Sequence, residues 1–175
     1  SSIMDYQTTE NLIFNQGVTI QTTGYAISGN GTVHGTTITI NGGKLTSTGS
    51  AAIYHPQAGT LTMNGGELTG ETGVQLCSGQ GTTSTSFQLN EGTISGTGED
   101  GRKDKGTGDG LVSDGAAISL VNREYPGGAP SITINGGTFS STNNKAVLAY
   151  TWSDGKSSDW DNANDFLKIY GGEFS

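Results

Sequence analysis

Short apolar runs recur along this chain with one fixed order of residue types. Residues 37–45 read T-I-T-I-N-G-G-K-L: two apolar residues flank a polar one, an Asn-Gly-Gly segment follows, and an apolar residue returns four positions after Asn41. Other copies of this unit begin at Leu12, Leu61, Phe87, Ile132 and Leu167. Alternation with a period of two is typical of strands, so each copy predicts a strand, a tight corner and a second strand.

The spacing of these copies predicts a solenoid. Counted from the first apolar residue of each copy, which is Ile38 in the copy at 37–45, the starts are 26, 23, 26, 45 and 35 residues apart, so the short steps give the basic period and the long steps carry insertions. A third strand is expected about fifteen residues after each start, and later in the coil that carries the insertion at 96–115; these strands are at 25–27, 51–53, 74–76, 116–118 and 146–148. Three short strands per coil predict an all-β fold, a parallel β-helix of about five to six coils.

Side-chain direction within each coil follows from the strand period of two. The residues expected to point inward and stack from coil to coil are Ile38, Ile40, Leu45, Leu61, Met63, Leu68, Phe87, Leu89, Ile94, Ile132, Ile134, Phe139, Leu167, Ile169 and Phe174. Asparagine returns at one corner of five units, at Asn15, Asn41, Asn64, Asn90 and Asn135. Asn tolerates a left-handed backbone, its amide can bond the amides above and below, and the following Gly supplies positive φ.

Two insertions interrupt the regular coils. Residues 96–115 separate the second and third strands of the fourth coil, and residues 151–165 follow the third strand of the fifth coil. A smaller insertion spans 122–130. Insertions on a solenoid project from one face and commonly carry function.

Composition and charge narrow the range of possible binding partners. The net charge is −8, and the only basic cluster, Arg102, Lys103 and Lys105, is interrupted by Asp104, which argues against nucleic acid or an anionic membrane as a partner. Cys77 is the single cysteine, so no intramolecular disulfide forms.

The chain has no apolar run long enough for a transmembrane helix and ends directly after one repeat unit. We therefore expect residues 1–175 to be a single β-helix module excised from a larger protein, with open solenoid ends that favour self-association.

The I-T-I-N-G-G-T-F units, with the A-A-I-Y and A-V-L-A strands, resemble the pectate-lyase-like superfamily of right-handed parallel β-helices. They are most similar to N-G-G-rich regions of large secreted or surface-attached proteins of anaerobic gut bacteria. The resemblance implies a right-handed coil and a secreted or cell-surface location. It implies no single activity, because this fold hosts lyases, hydrolases, adhesins and passive stalks.

The enzymatic members of that superfamily provide a test. A lyase-like site resembles an acidic calcium cluster on one strand face with an Arg or Lys base, whereas the outward rows here are Thr, Ser, Gln and small residues. The N-T-D, D-D, G-H-G and R-x-K signatures of polygalacturonase-like sites are absent. The sequence therefore disfavours an enzyme, although loops could still bring carboxylates together.

The second insertion, with its approach strand, holds the strongest candidate binding residues. They are Tyr150, Trp152, Asp154, Asp159, Trp160, Asp161, Asn162, Asn164 and Asp165. Aromatic faces stack on sugar rings while Asp and Asn bond hydroxyls, so this mixture predicts a carbohydrate site. The alternative is that both tryptophans fold the loop onto the barrel. Asp159, Asp161 and Asp165 also offer oxygen ligands to Ca²⁺, but they lack the spacing of an EF-hand, so a solvated acidic turn stays an alternative.

His55, Cys77 and the outward threonine pairs could also have functional roles, but each has a simpler structural explanation. His55 follows a third strand without an evident Asp or Ser partner, which favours a surface or packing role over a base. Cys77 aligns with Tyr54 in the third-strand register and is therefore expected to be partly exposed. The outward pairs Thr37/Thr39 and Thr60/Thr62 are similar to the faces of ice-binding solenoids, but Gln88 interrupts the array and Thr is a common outward strand residue.

These observations predict a non-catalytic binding module that recognises a glycan or host glycoprotein through its insertions. The alternatives are an adhesin or structural stalk that binds a host protein, and a fragment of a polysaccharide lyase or glycoside hydrolase.

Overall fold

A computed structural model describes residues 4–6, 11–29, 35–55, 59–103 and 111–175 of the chain. The chain forms a right-handed parallel β-helix of about six coils, with one strand of each coil in each of three sheets. This confirms the predicted fold class. Among the described residues, no helix is long and apolar enough to cross a membrane.

Each sheet is a ladder of strands contributed by successive coils. Sheet A contains β1 (Met4–Tyr6), β4 (Ile27–Gly29), β7 (Ile53–His55), β10 (Val74–Cys77), β13 (Ile118–Asn122), β16 (Val147–Ser153) and β17 (Lys156–Ser158). Sheet B contains β2 (Leu12–Phe14), β5 (Thr36–Ile40), β8 (Gly59–Met63), β11 (Thr85–Leu89), β14 (Ser131–Ile134) and β18 (Leu167–Ile169). Sheet C contains β3 (Thr19–Thr22), β6 (Lys44–Ser47), β9 (Glu67–Gly70), β12 (Thr93–Gly96), β15 (Thr138–Ser141) and β19 (Glu173–Phe174). Two short 3₁₀ helices, η1 (Gly101–Lys103) and η2 (Ala163–Phe166), lie in the insertions.

The interior of the coil is one continuous apolar column. In sheet B, Leu61 pairs with Ile38 below it and Phe87 above it, and all three side chains are buried. Burial of each such side chain contributes roughly 1.5–3 kcal/mol. The inward residues predicted for sheets B and C are therefore confirmed, except in the last coil. There Leu167 is half-buried, and Ile169 and Phe174 are 47% and 42% exposed.

Sheet A departs from the predicted alignment. The expected alignment placed Leu76 and Leu148 beside Ile53 and Ile118, but the strands pair Val74 with Ile53 and Val147 with Ile118. As a result, Leu148 lies on the outer face of the sheet. The reason is that the outer face of sheet A is also buried and carries apolar residues such as Leu148 and Tyr150, so hydrophobicity does not show which face of a strand points inward.

Two separate features shape the corner between sheets B and C, a ladder of asparagine side chains and a glycine with left-handed backbone. Asparagine side chains form the predicted ladder, in which each Nδ2 donates to the Oδ1 of the previous coil over 2.8–3.0 Å. The expected left-handed backbone does not fall on these asparagines. It falls on the second residue after each of them, for example Gly66 with φ 96° and Gly92 with φ 125°. This explains why the residue directly after the corner Asn can be Gln16 or Glu91, whereas the next residue is Gly in all six units.

Alanine substitutions in one Gly pair test this division. Gly66→Ala should destabilise the fold by about 1–3 kcal/mol, because a Cβ meets backbone atoms of the previous coil at 2.9 Å and the backbone is left-handed. Gly65→Ala should cost clearly less, since its nearest contact is 3.2 Å and its φ is not positive. Urea unfolding of both variants measures the difference. Equal losses would contradict this explanation of the corner.

Candidate functional site

The first insertion folds back over the outer face of sheet A. Leu111 and Val112 are buried against this face, so the sheet lies between the interior column and a second apolar cluster. That cluster comprises Ala51, Tyr54, Cys77, Leu111, Val112, Ala116, Val121, Leu148, Tyr150 and Trp152. Residues 104–110 of the insertion lie outside the described residues.

Two buried polar side chains attach the insertion to the sheet. Gln75 on β10 donates from Nε2 to the Val112 carbonyl at 2.7 Å and accepts from the Val112 N–H at 3.1 Å, so its side chain pairs with the insertion as a strand would. The Asp114 carboxylate is the second attachment. It accepts hydrogen bonds from Thr72 Oγ1 (3.0 Å), Gln75 Nε2 (3.1 Å), Ser119 Oγ (2.6 Å), Tyr150 OH (3.0 Å) and the Ala116 N–H (3.1 Å).

The electrostatics of Asp114 suit an anchor better than a catalytic acid. Burial raises the pKa of Asp114, while hydrogen bonds from Ser119, the Ala116 N–H, Tyr150 and Thr72 oppose that rise. Burial and the neighbouring Asp114 carboxylate raise the pKa of Tyr150, so its hydroxyl stays protonated and donates. A carboxylate offers about four lone-pair sites, and five donors already occupy them. No acceptor capacity is left for a substrate.

Tyr150 and Trp152, two of the predicted sugar-binding residues, belong to this covered face. Both project from β16 and are buried, with exposed fractions of 1% and 3%. The Arg102 guanidinium lies 5.0 Å from the centre of the Tyr150 ring and forms a two-pronged pair with Asp100 at 2.7 and 2.8 Å. The β17 strand also contacts η1, so the two insertions pack against each other.

Trp160 lies in a different place. Its ring is 9% exposed and packs against the end of the interior column, with the Phe166 ring centre at 4.9 Å. Its Nε1 donates to Asn162 Oδ1 at 3.0 Å. The two tryptophans thus belong to separate clusters and neither presents an open face to solvent. This geometry matches the alternative in which they fold the loop onto the barrel, and a sugar-stacking role for them stays a prediction that the packing does not favour.

The aspartates of the second insertion have individual roles. Asp154 (φ 50°) and Gly155 (φ 74°) form a two-residue turn between β16 and the antiparallel β17, in which Ser153 pairs with Lys156. Two positive φ values are the mark of a type I′ turn, and the Asp-Gly dipeptide is its usual signal, which the sequence interpretation had overlooked.

Asp159, Asp161 and Asp165 are exposed on the same insertion. Within the part of the chain that the structure describes, no three His, Cys, Asp or Glu side chains are gathered closely enough to hold a metal ion. The three aspartates therefore do not converge as a calcium site would require.

The structure decides two further expectations. His55 is fully buried in the interior column beside Leu76, which matches the expected packing role rather than the surface role, and burial lowers its pKa to about 4. Cys77 pairs with Val121 rather than aligning with Tyr54, and it is fully buried, so the expected partial exposure is wrong. The insertion covers Cys77, and burial raises the pKa of its thiol.

A groove at the corner between sheets B and C was not anticipated from the sequence. It encloses about 430 Å³ and is lined by Gln16, Asn41, Gly42, Gly43, Asn64, Gly65, Gly66, Glu67 and Thr93. Glu67 at its rim forms a salt bridge with Lys44 at 3.1 Å. The groove exists because paired glycines leave the corner without side chains, a signal that the sequence interpretation assigned to the scaffold alone.

The outward face of sheet B carries hydroxyl groups in register. Thr37, Thr60, Ser86 and Ser131 form one column, and Thr39, Thr62, Gln88 and Thr133 form the next. Gln88 interrupts the second column as expected from the sequence. Ice binding by this face stays untested.

The anchoring role of Asp114 predicts a local effect. Asp114→Ala should destabilise the protein by about 3 kcal/mol or more, because several buried donors lose their acceptor at about 1–3 kcal/mol each. Cys77, buried in the native protein, should then react faster with a maleimide. The control is Asp161→Ala, an exposed change in the other insertion. Unchanged labelling in Asp114→Ala would contradict the anchoring role.

The burial of His55 predicts a pH dependence. Its pKa is about 4 in the folded chain and 6.5 when unfolded, so the unfolded state binds more protons between these values. The free energy of unfolding should fall by about 3 kcal/mol as the pH drops from 6.5 to 4. His55→Leu, which matches the neighbouring Leu76, should remove most of this slope in urea titrations. A slope unaltered by the substitution would show that other groups cause it.

Comparison with protein family models, curated proteins and solved structures finds no match to this chain. The fold is therefore established by the register of its own strands.

Proposed function

We propose that this chain is a non-catalytic carbohydrate-binding module that holds an extended, uncharged glycan in the groove at the corner between sheets B and C. The observation that carries the proposal is the groove itself, an open polar trough that runs across the coils beside the asparagine ladder. It replaces the aromatic residues of the second insertion as the site we favour, because those rings are buried.

The hydrogen-bonding capacity of the ladder suits sugar hydroxyls. Asn41 and Asn64 are exposed, and each commits one N–H and one lone pair to the neighbouring rungs. An amide has two donors and two acceptor sites, so each rung keeps one donor and one acceptor for a ligand. A hydroxyl both donates and accepts, which makes it complementary to such a rung.

The repeat of the coil favours a polymeric ligand. Parallel strands lie about 4.7–4.9 Å apart, so equivalent amides and backbone groups recur at that interval along the groove. The Gly pairs let a ligand approach the backbone closely. Without an aromatic platform, each contact is a solvent-competed hydrogen bond, so binding by one module should be weak and gain strength through several modules or a long chain.

A location outside the cell, on or released from a gut bacterium, belongs to the same proposal. It is supported by the resemblance of the N-G-G units to secreted and surface-attached β-helical proteins. The net charge of −8 is compatible with a neutral or cationic partner.

A second candidate is an adhesin or stalk segment that binds a host protein. The exposed acids and amides of the second insertion favour it, among them Asp159, Asp161 and Asn164. Such a partner would carry a basic surface, and its binding would weaken steeply with salt.

A glycan array followed by titration calorimetry tests the proposal. Thr93→Ala and Glu67→Gln alter the groove and should each weaken glycan binding about two- to tenfold, the loss expected for one hydrogen bond. Thr138→Ala is the matched control, because Thr138 occupies the same column one coil further on and lies outside the groove.

The outcomes separate the candidates. Failure to bind any glycan, or equal losses in Thr93→Ala and Thr138→Ala, would overturn the groove proposal. Salt-sensitive capture of a basic protein, abolished by Asp159→Asn with Asp161→Asn, would support the adhesin instead.

A further inference from the structure

The asparagine ladder contains residues that are chemically labile in flexible chains. Asn41, Asn64 and Asn135 are exposed and each is followed by glycine. In an Asn-Gly sequence the glycine amide nitrogen can attack the side-chain carbonyl carbon, since glycine offers little steric hindrance. Asparagine is accordingly among the thermolabile residues.

The side chain must rotate toward the following backbone nitrogen before this reaction can occur. The hydrogen bonds of the ladder oppose that rotation, because they hold the side-chain amide against its neighbours in the adjacent coils. Asn41 donates to Asn15 and accepts from Asn64, and Asn64 donates to Asn41 and accepts from Asn90. Each of these two side chains must therefore break two hydrogen bonds before it reacts. Asn135 donates to Asn90 at 2.8 Å, and its Oδ1 accepts no hydrogen bond from any described residue.

The position of Tyr170 explains why the ladder ends at Asn135. The Tyr170 N–H donates to the Ile134 carbonyl at 2.8 Å, just as the Asn135 N–H donates to the Leu89 carbonyl at 2.8 Å. Tyr170 thus occupies the next rung of the corner. Its side chain is 74% exposed and supplies no amide to Asn135.

We propose that Asn135, in the sequence Asn135-Gly136, deamidates spontaneously in the folded protein, while the ladder protects Asn41 and Asn64 in the same Asn-Gly sequence. The Gly136 nitrogen forms a bond to Asn135 Cγ, the Cγ–Nδ2 bond breaks, and ammonia leaves with the amide proton to give a succinimide. Water then opens the ring to aspartate or isoaspartate. No oxidant or enzyme is required, and the proposal does not depend on glycan binding.

The product changes the corner between the coil of Asn135 and the coil of Tyr170. Aspartate at this position has no N–H to donate to Asn90, and it adds a negative charge to the corner. Isoaspartate also adds one backbone atom within residue 135, directly before Gly136 and one residue ahead of Gly137, whose φ of 105° sets the turn into β15. The last coil should therefore loosen from the coil below it.

Peptide mapping after incubation in mildly alkaline H₂¹⁸O measures each site, because ring opening incorporates the label. Each rate is divided by that of the same site in the urea-unfolded chain, which removes local sequence effects. Asn135 should react about two- to tenfold faster than Asn41 and Asn64, the factor expected for one fewer hydrogen bond. Asn30-Gly31, outside the described residues, is quantified separately.

Tyr170→Asn extends the ladder by one rung and gives the decisive comparison. The new side chain can donate to Asn135 Oδ1, so deamidation at Asn135 should slow to the rate of the inner rungs. Tyr170→Phe is the matched control and should leave the rate unchanged. Equal rates at the three sites, no slowing in Tyr170→Asn, or equal slowing in Tyr170→Phe would each overturn the proposal.

Discussion

The stacking of each inward side chain on its equivalent in the next coil is the constraint on which the rest of the molecule depends. Ile38, Leu61 and Phe87 can share one buried column only if the strands keep strict register. The same register aligns the asparagine amides, places a glycine at every left-handed corner, and sets the groove beside the ladder. A slip of two residues along one strand would keep the apolar face inward but break every one of these alignments.

The strands of all three sheets could be predicted from the sequence, but their register only in sheets B and C. In sheets B and C one face meets solvent, so apolar and polar residues alternate and the phase is visible. In sheet A the insertion buries the outer face, and a strand such as β16 carries apolar residues on both faces, so its phase is not visible in the sequence. The covering segment was hidden because only Leu111 and Val112 are apolar within a Gly- and Asp-rich stretch, and because Gln75 and Asp114 attach it through polar contacts.

The candidate site shows the same limit. Residue type alone pointed to Trp152 and Trp160, yet these rings pack on opposite sides of the barrel wall, one under the insertions and one at the end of the column. The groove consists mainly of glycine and asparagine, residues that the repeat already explained as scaffold. A surface groove on a solenoid can thus lie within the repeat itself, where residue type alone does not reveal it.

Disulfide trapping between neighbouring coils tests the register most directly. In a Cys77→Ser background, Thr39→Cys with Thr62→Cys places two cysteines on directly paired outward positions, with a Cα separation of about 4.8 Å that a disulfide can span. Thr39→Cys with Thr60→Cys is offset by two residues, about 8 Å apart, beyond disulfide reach. The account predicts rapid, near-complete oxidation of the first pair alone. Preferential oxidation of the offset pair would contradict it.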